Sequence, residues 1–203
     1  MAVEAAVAVH PPAAHPPATG TAHGHDHPAR RSMNQVGLWL FFLSESFLFA
    51  ALLSARFYLA GFKASEHVDQ LLGLAITLVL VCSSFTAYMS ETAIARGDRA
   101  NFMRFLLATI FLGIVFAVGV GFEWSEAHFS IHEPYGTAFF SMTGLHASHV
   151  ISGVVMLAIV AYLGARGHFS AESHWGVEAT IKYWHFVDVV WVFFYPALYL
   201  VNW

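Results

Sequence analysis

The chain has 203 residues, 58% of them hydrophobic and only 11% charged, with a formal net charge of −4. Soluble domains carry roughly 25% charged residues and the mean hydropathy here is +0.61, which excludes a disordered chain, an ordinary soluble enzyme and a nucleic-acid binder. The lone Cys82 excludes an intramolecular disulfide framework and any cysteine-rich zinc or iron–sulfur site.

Residues 1–35 read as a disordered tail on the cytoplasmic side. Pro11, Pro12, Pro16, Pro17 and Pro28 block helix there, and the segment has too little apolar bulk to pack. It carries five histidines, and the run HGHDH at 23–27 offers imidazoles to a transition metal or is simply solvated. The first 20 residues lack a basic start and contain Glu4, so the first apolar stretch is expected to serve as its own targeting signal.

Five apolar stretches follow: Val36–Leu59, Gln70–Ile94, Asn101–Phe122, Tyr135–Gly164 and Glu178–Trp203. Each has about 20 residues or more, the length a helix needs to cross the hydrocarbon core. Only helices satisfy their backbone hydrogen bonds alone in lipid. The expected fold is therefore all-α, an integral membrane bundle of five transmembrane helices over residues 36–203. Gly97 is placed to end the second helix in a left-handed conformation.

Basic residues set the expected orientation. Arg30, Arg31, Arg96, Arg99, Arg104, Arg166 and Lys182 fall on one side, against Arg56 and Lys63 on the other. The positive-inside rule then puts the N-terminus in the cytoplasm and the C-terminus outside, in a bacterial plasma membrane or an organellar inner membrane. Trp39, Trp124, Trp175, Trp184 and Trp203 lie near helix ends and fit interfacial belts.

The polar residues inside the membrane carry the functional information. Glu45, in FFLSESFLFA, sits about ten residues into the first helix, where a carboxylate costs several kcal/mol. It points to proton handling or to a packing hydrogen bond. His146 and His149 in TGLHASHV share a helix face, as do His185 and Asp188 in YWHFVDVVW. An interhelical network pairing the carboxylate with imidazoles accounts for them; so does proton handling or partner contact, or a bis-histidine haem. Arg166, His168 and His174 form a basic cluster of the kind that holds anionic lipid headgroups.

Six segments in order resemble subunit III of the haem–copper oxidases: FFLSESFLFA (41–50), RGDR (96–99), EWSEAHFSI (123–131) with PYGTAFF (134–140), TGLHASHVISG (143–153), WGVEA (175–179) and YWHFVDVVW (183–191). The resemblance runs from about Val36 to Trp203. It implies a non-redox, non-catalytic core subunit of a proton-pumping cytochrome c oxidase, in contact with subunit I and subunit II. Haem and copper would lie in those partners and none in this chain. It also implies phospholipid in a cleft, with Glu45 as the cleft's carbodiimide-reactive carboxylate and Arg166 and His168 at headgroup positions. Glu123, His146, His149, His185 and Asp188 would form the polar scaffold. Many members have seven helices. This chain has the five-helix form, in which a partner subunit typically supplies the other two. Quinol oxidases and an accessory protein of nitric oxide reductase share that form.

Overall fold

The computed structural model describes residues 28–61 and 70–201, with side chains from residue 32 onward. The histidine run, Lys63 and Trp203 lie outside the described residues. The described chain is all-helical: α1 (Pro28–Ala60), α2 (Gln70–Ala95), α3 (Arg99–Glu126), α4 (Pro134–Ala165) and α5 (Trp175–Tyr195), which runs into a wide π-helical turn at Pro196–Leu200. The chain divides into residues 1–37 and residues 38–203; the bundle described below belongs to the second unit.

Helix α1 starts at Pro28, so residues 28–35 are helical, where a disordered tail was expected. Proline is tolerated in a first turn because the N–H it lacks would have no helical partner there.

Four helices, α1 to α4, are long and apolar enough to cross a membrane. The fifth is shorter than expected and falls below that standard, because Glu178, Lys182, His185 and Asp188 interrupt its apolar run. The outward surface fits lipid rather than water: Phe47, Leu78, Phe85, Phe111, Val118, Ile151 and Phe193 are all exposed.

Helix α2 packs on α3 and α5, α3 on α4, and α4 on α5, so these four close a ring. Their buried positions show why. In α3 they are Phe102, Leu106, Thr109, Gly113, Phe116, Val120 and Glu123. These steps of four and three make one seam per helix, the pattern of left-handed bundle packing. The loops are tightly stopped. Gly97 at φ 77° and Gly167 at φ 78° take the left-handed conformation. Their amides and those of Asp98 and His168 return to the last carbonyls of α2 and α4. Asp98 then caps α3, accepting from the Asn101 amide at 3.1 Å. That N–H and the Asn101 side chain hold the Asp98 carboxyl below the usual carboxylate range.

Two residues depart from their expected surface positions. Trp184 is not in an interfacial belt. It is 1% exposed, and its indole is clamped between Gly113 on α3 and Gly153 on α4 while its Nε1 donates to Ser83 Oγ at 3.0 Å. Helix α5 begins at Trp175, earlier than expected, so Trp184 sits at its middle, and it faces inward. Arg56 is fully buried. It donates to the Gly61 carbonyl at 2.7 Å and lies 5.1 Å from the Tyr135 ring centroid.

Helix α1 stands off from the ring. Among its described residues only Phe42, Phe49 and Arg56 are buried. It touches the ring through aromatic side chains: Phe42 stacks on Phe186, and Phe49 meets Phe186, Phe194 and His149.

Candidate functional site

Polar side chains inside the bundle fall into separate clusters. The first joins α1 to α4. Glu45 Oε2 lies 3.2 Å from His149 Nε2, and both side chains are mostly buried. His149 Nδ1 lies 2.8 Å from the Leu145 carbonyl, which can only accept, so Nδ1 carries a hydrogen. The His149 contact gives the carboxyl a partner on a neighbouring helix, which is how such a group is tolerated at this depth. Behind it the Tyr183 hydroxyl and Ser152 Oγ lie 2.7 Å apart, and Tyr183 donates to the His149 carbonyl at 3.3 Å.

The second cluster joins α2 to α5. Ser84 Oγ donates to Asp188 Oδ2 and lies 3.1 Å from His185 Nδ1. With the hydroxyl hydrogen committed to Asp188, His185 Nδ1 donates to Ser84. Asp188 therefore reaches His185 only through a serine, and not by the direct carboxylate–imidazole pairing expected. Its Oδ1 is buried without a hydrogen-bond partner among the described residues.

His146 stands apart from both. It is fully buried between Trp191 and Phe116, with Nε2 3.0 Å from the Val187 carbonyl and Nδ1 without a hydrogen-bond partner among the described residues. Glu123 lies in a third cluster at the far end of the bundle, where the Tyr199 hydroxyl sits 2.7 Å and 2.8 Å from its two oxygens. The expected scaffold is thus divided among four settings. Among the described residues no three histidine, cysteine or carboxylate side chains converge as a metal site.

The basic cluster is also divided. Arg166 caps α4 and lies over the Tyr162 ring at 4.4 Å, and His168 is exposed beside it. His174 is instead tied into the start of α5, 3.3 Å from Glu178 Oε1 and 3.1 Å from the Ser170 carbonyl.

Between α1 and α5 run two apolar grooves that share Ser46, Phe186 and Val189. One, of about 720 Å³, is flanked by Trp39 on α1 and by Lys182 and His185 on α5. The other, of about 330 Å³, continues past Phe49 and Leu53 to Phe193. Their walls are apolar, with the Lys182 ammonium at one end.

Sequence reasoning missed Ser84, Ser152, Tyr183 and Tyr199. Uncharged hydroxyls are common in membrane helices and carry no signal until a partner is opposite them. The charges they serve were the available clue.

The family model for cytochrome c oxidase subunit III matches residues 17–203. The chain is similar to cytochrome c oxidase subunit 3 of Dugong dugon, 36% identical over 193 residues, covering 89% of this chain and 74% of that protein. The proteins of the same name from Oncorhynchus mykiss and Salmo salar are each 36% identical over 198 residues, with the same coverage of both chains.

Proposed function

Because the chain belongs to the cytochrome c oxidase subunit III family, we propose that it is the non-redox third subunit of a proton-pumping haem–copper terminal oxidase. It stabilises the catalytic subunit I, alongside subunit II, through assembly contacts, bound phospholipid and support of proton uptake. The observation that carries this reading is the stand-off of α1, which leaves two apolar grooves between it and α5. Phospholipid chains fill the α1–α5 seam, and Arg166 and His168 offer the charge for headgroups nearby. A partner subunit's helices cover the outer face of α1. Haem and copper reside in the partner subunits. The start of α5 and the α2–α3 turn face the cytoplasm, following the positive charges of Arg96, Arg99, Arg104 and Arg166.

The test is a mild-detergent purification of the tagged chain, with mass spectrometry, lipid extraction and a reduced-minus-oxidised spectrum on one eluate. A many-helix haem-carrying partner and co-purifying phospholipid support the proposal. A chain that purifies alone with b-type haem refutes it. In the intact oxidase, Glu45→Gln keeps assembly and perturbs turnover mildly. Loss of haem from that variant would exclude a supporting role.

A further inference from the structure

The polar residues that set α5 apart from the other helices lie on one face of it. His174, Glu178, Lys182, His185 and Asp188 recur in steps of four, four, three and three, spanning about 21 Å of helix. The first three are joined: His174 Nε2 is 3.3 Å from Glu178 Oε1, and Glu178 Oε2 is 3.2 Å from Lys182 Nζ. Lys182 and His185 both line the groove of about 720 Å³. His185 Nδ1, Ser84 Oγ and Asp188 Oδ2 complete the line.

The geometry points to a proton-exchange relay in which His185, at the groove wall, passes a proton through Ser84 to the buried carboxyl of Asp188. A proton reaching His185 binds its Nε2. His185 Nδ1 passes its hydrogen to Ser84 Oγ, and Ser84 passes its own to Asp188 Oδ2. The product is neutral His185 protonated on Nε2, an intact serine hydroxyl and a carboxylic acid. The same two hydrogen bonds remain with their directions reversed, so the return step needs no new partner. One proton enters and one is stored, with no redox change.

The alternative is packing alone, which predicts a carboxyl that does not exchange with the medium. The ionisable groups nearest the relay lie toward the α5 start. Glu91 on α2 lies in electrostatic reach of Lys182, Glu178 and His174. Helix α1 brings Trp39 and Ser46 to the groove, neither of them ionisable there. Glu45 and His149 lie at Tyr183, about 200° round α5 from His185.

The experiment is time-resolved infrared difference spectroscopy on the intact purified complex in lipid nanodiscs after a pH jump. The carboxylic C=O band of Asp188 is assigned by its loss in Asp188→Asn. A band that appears and disappears reversibly with the pH of the medium is expected. Its response is slowed at least about 100-fold in His185→Gln, the low end of what a positioned proton-transfer group contributes. Ser84→Ala slows it likewise, and Ser84→Thr restores it. His185→Gln keeps a donor to Ser84 but cannot take a second proton, so its result stands if Ser84→Ala fails to fold. Two results overturn the inference: no Asp188 band at any pH the complex survives, or unaltered kinetics in a correctly assembled His185→Gln complex.

Discussion

Alanine at Gly153 tests how the ring of helices fixes α5. An ideal Cβ there lies 2.8 Å from Trp184 Cε3 and 3.0 Å from Cζ3. The ring is rigid and buried, and its one relief lies toward Gly113, where an ideal Cβ would stand 2.5 Å from Cη2. Overpacking of this kind costs about 1–3 kcal/mol. Replacing glycine by alanine within a helix itself returns about 0.5–1 kcal/mol. Gly121, with nothing within 4 Å of its Cβ position, isolates that second effect. Gly153→Ala should therefore be less stable than Gly121→Ala by about 1–3 kcal/mol, or about 2–12 °C in melting midpoint for a chain of this size. Combining Gly113→Ala with Gly153→Ala should cost more than the sum, since each closes the other's escape route. The assay is the fraction of monodisperse protein in mild detergent after stepwise heating. Equal midpoints for Gly153→Ala and Gly121→Ala would refute the clamp.

Ser84→Ala should leave Asp188 with neither oxygen bonded and cost about 1–3 kcal/mol, read as an earlier melting midpoint and weaker recovery of partner subunits. Tyr199→Phe removes the hydroxyl that serves both Glu123 oxygens. It should lower the midpoint by a comparable amount, and unchanged melting would dismiss the cluster as a stabilising element. The Asp98 cap works as a carboxylate, and its lowered folded-state value fixes the sign of its pH dependence. Its contribution is full above the ordinary aspartate value near 3.9 and is lost as pH falls through the lower folded-state value. Asp98→Ala should thus be less stable than the parent at neutral pH and converge with it in strong acid, whereas Asp98→Asn, itself a good cap, should show no such convergence.

The helices were legible because lipid imposes length and hydropathy on them, and the left-handed stop at Gly97 followed from its place after α2. Glu45 was legible for the same reason in reverse, as a carboxylate among phenylalanines. Its partner was not. His149 is 104 residues away, and pairing at that separation depends on how each helix is rotated about its axis. Trp184 was misjudged in both depth and azimuth, because α5 begins at Trp175 and puts it at mid-helix, facing inward. Asp188 was read as paired with imidazoles because only charged or ring-bearing groups stand out in a sequence, while the bond was made by Ser84. Pro28 misled in the other direction, as a breaker that in fact opens a helix.

The π-helical turn has a consequence for biosynthesis. Residues 196–200 tie together elements made much earlier: Gln70 donates to the Tyr199 carbonyl, Tyr135 to the Leu198 carbonyl, and Tyr199 to Glu123. Glu123 and Tyr199 are 76 residues apart. At about 5–20 residues per second, Tyr199 leaves the ribosome about 4–15 seconds after Glu123. Helix α2 is complete when that interval begins, and α3 and α4 are completed during it, but all three lack the clasp that joins them at this end. Glu123 lies in the last turn of α3, where an aqueous boundary can solvate it until its phenol partner arrives. Assembly at this end of the bundle is therefore the last step of the chain's synthesis, set by when residues 196–200 emerge.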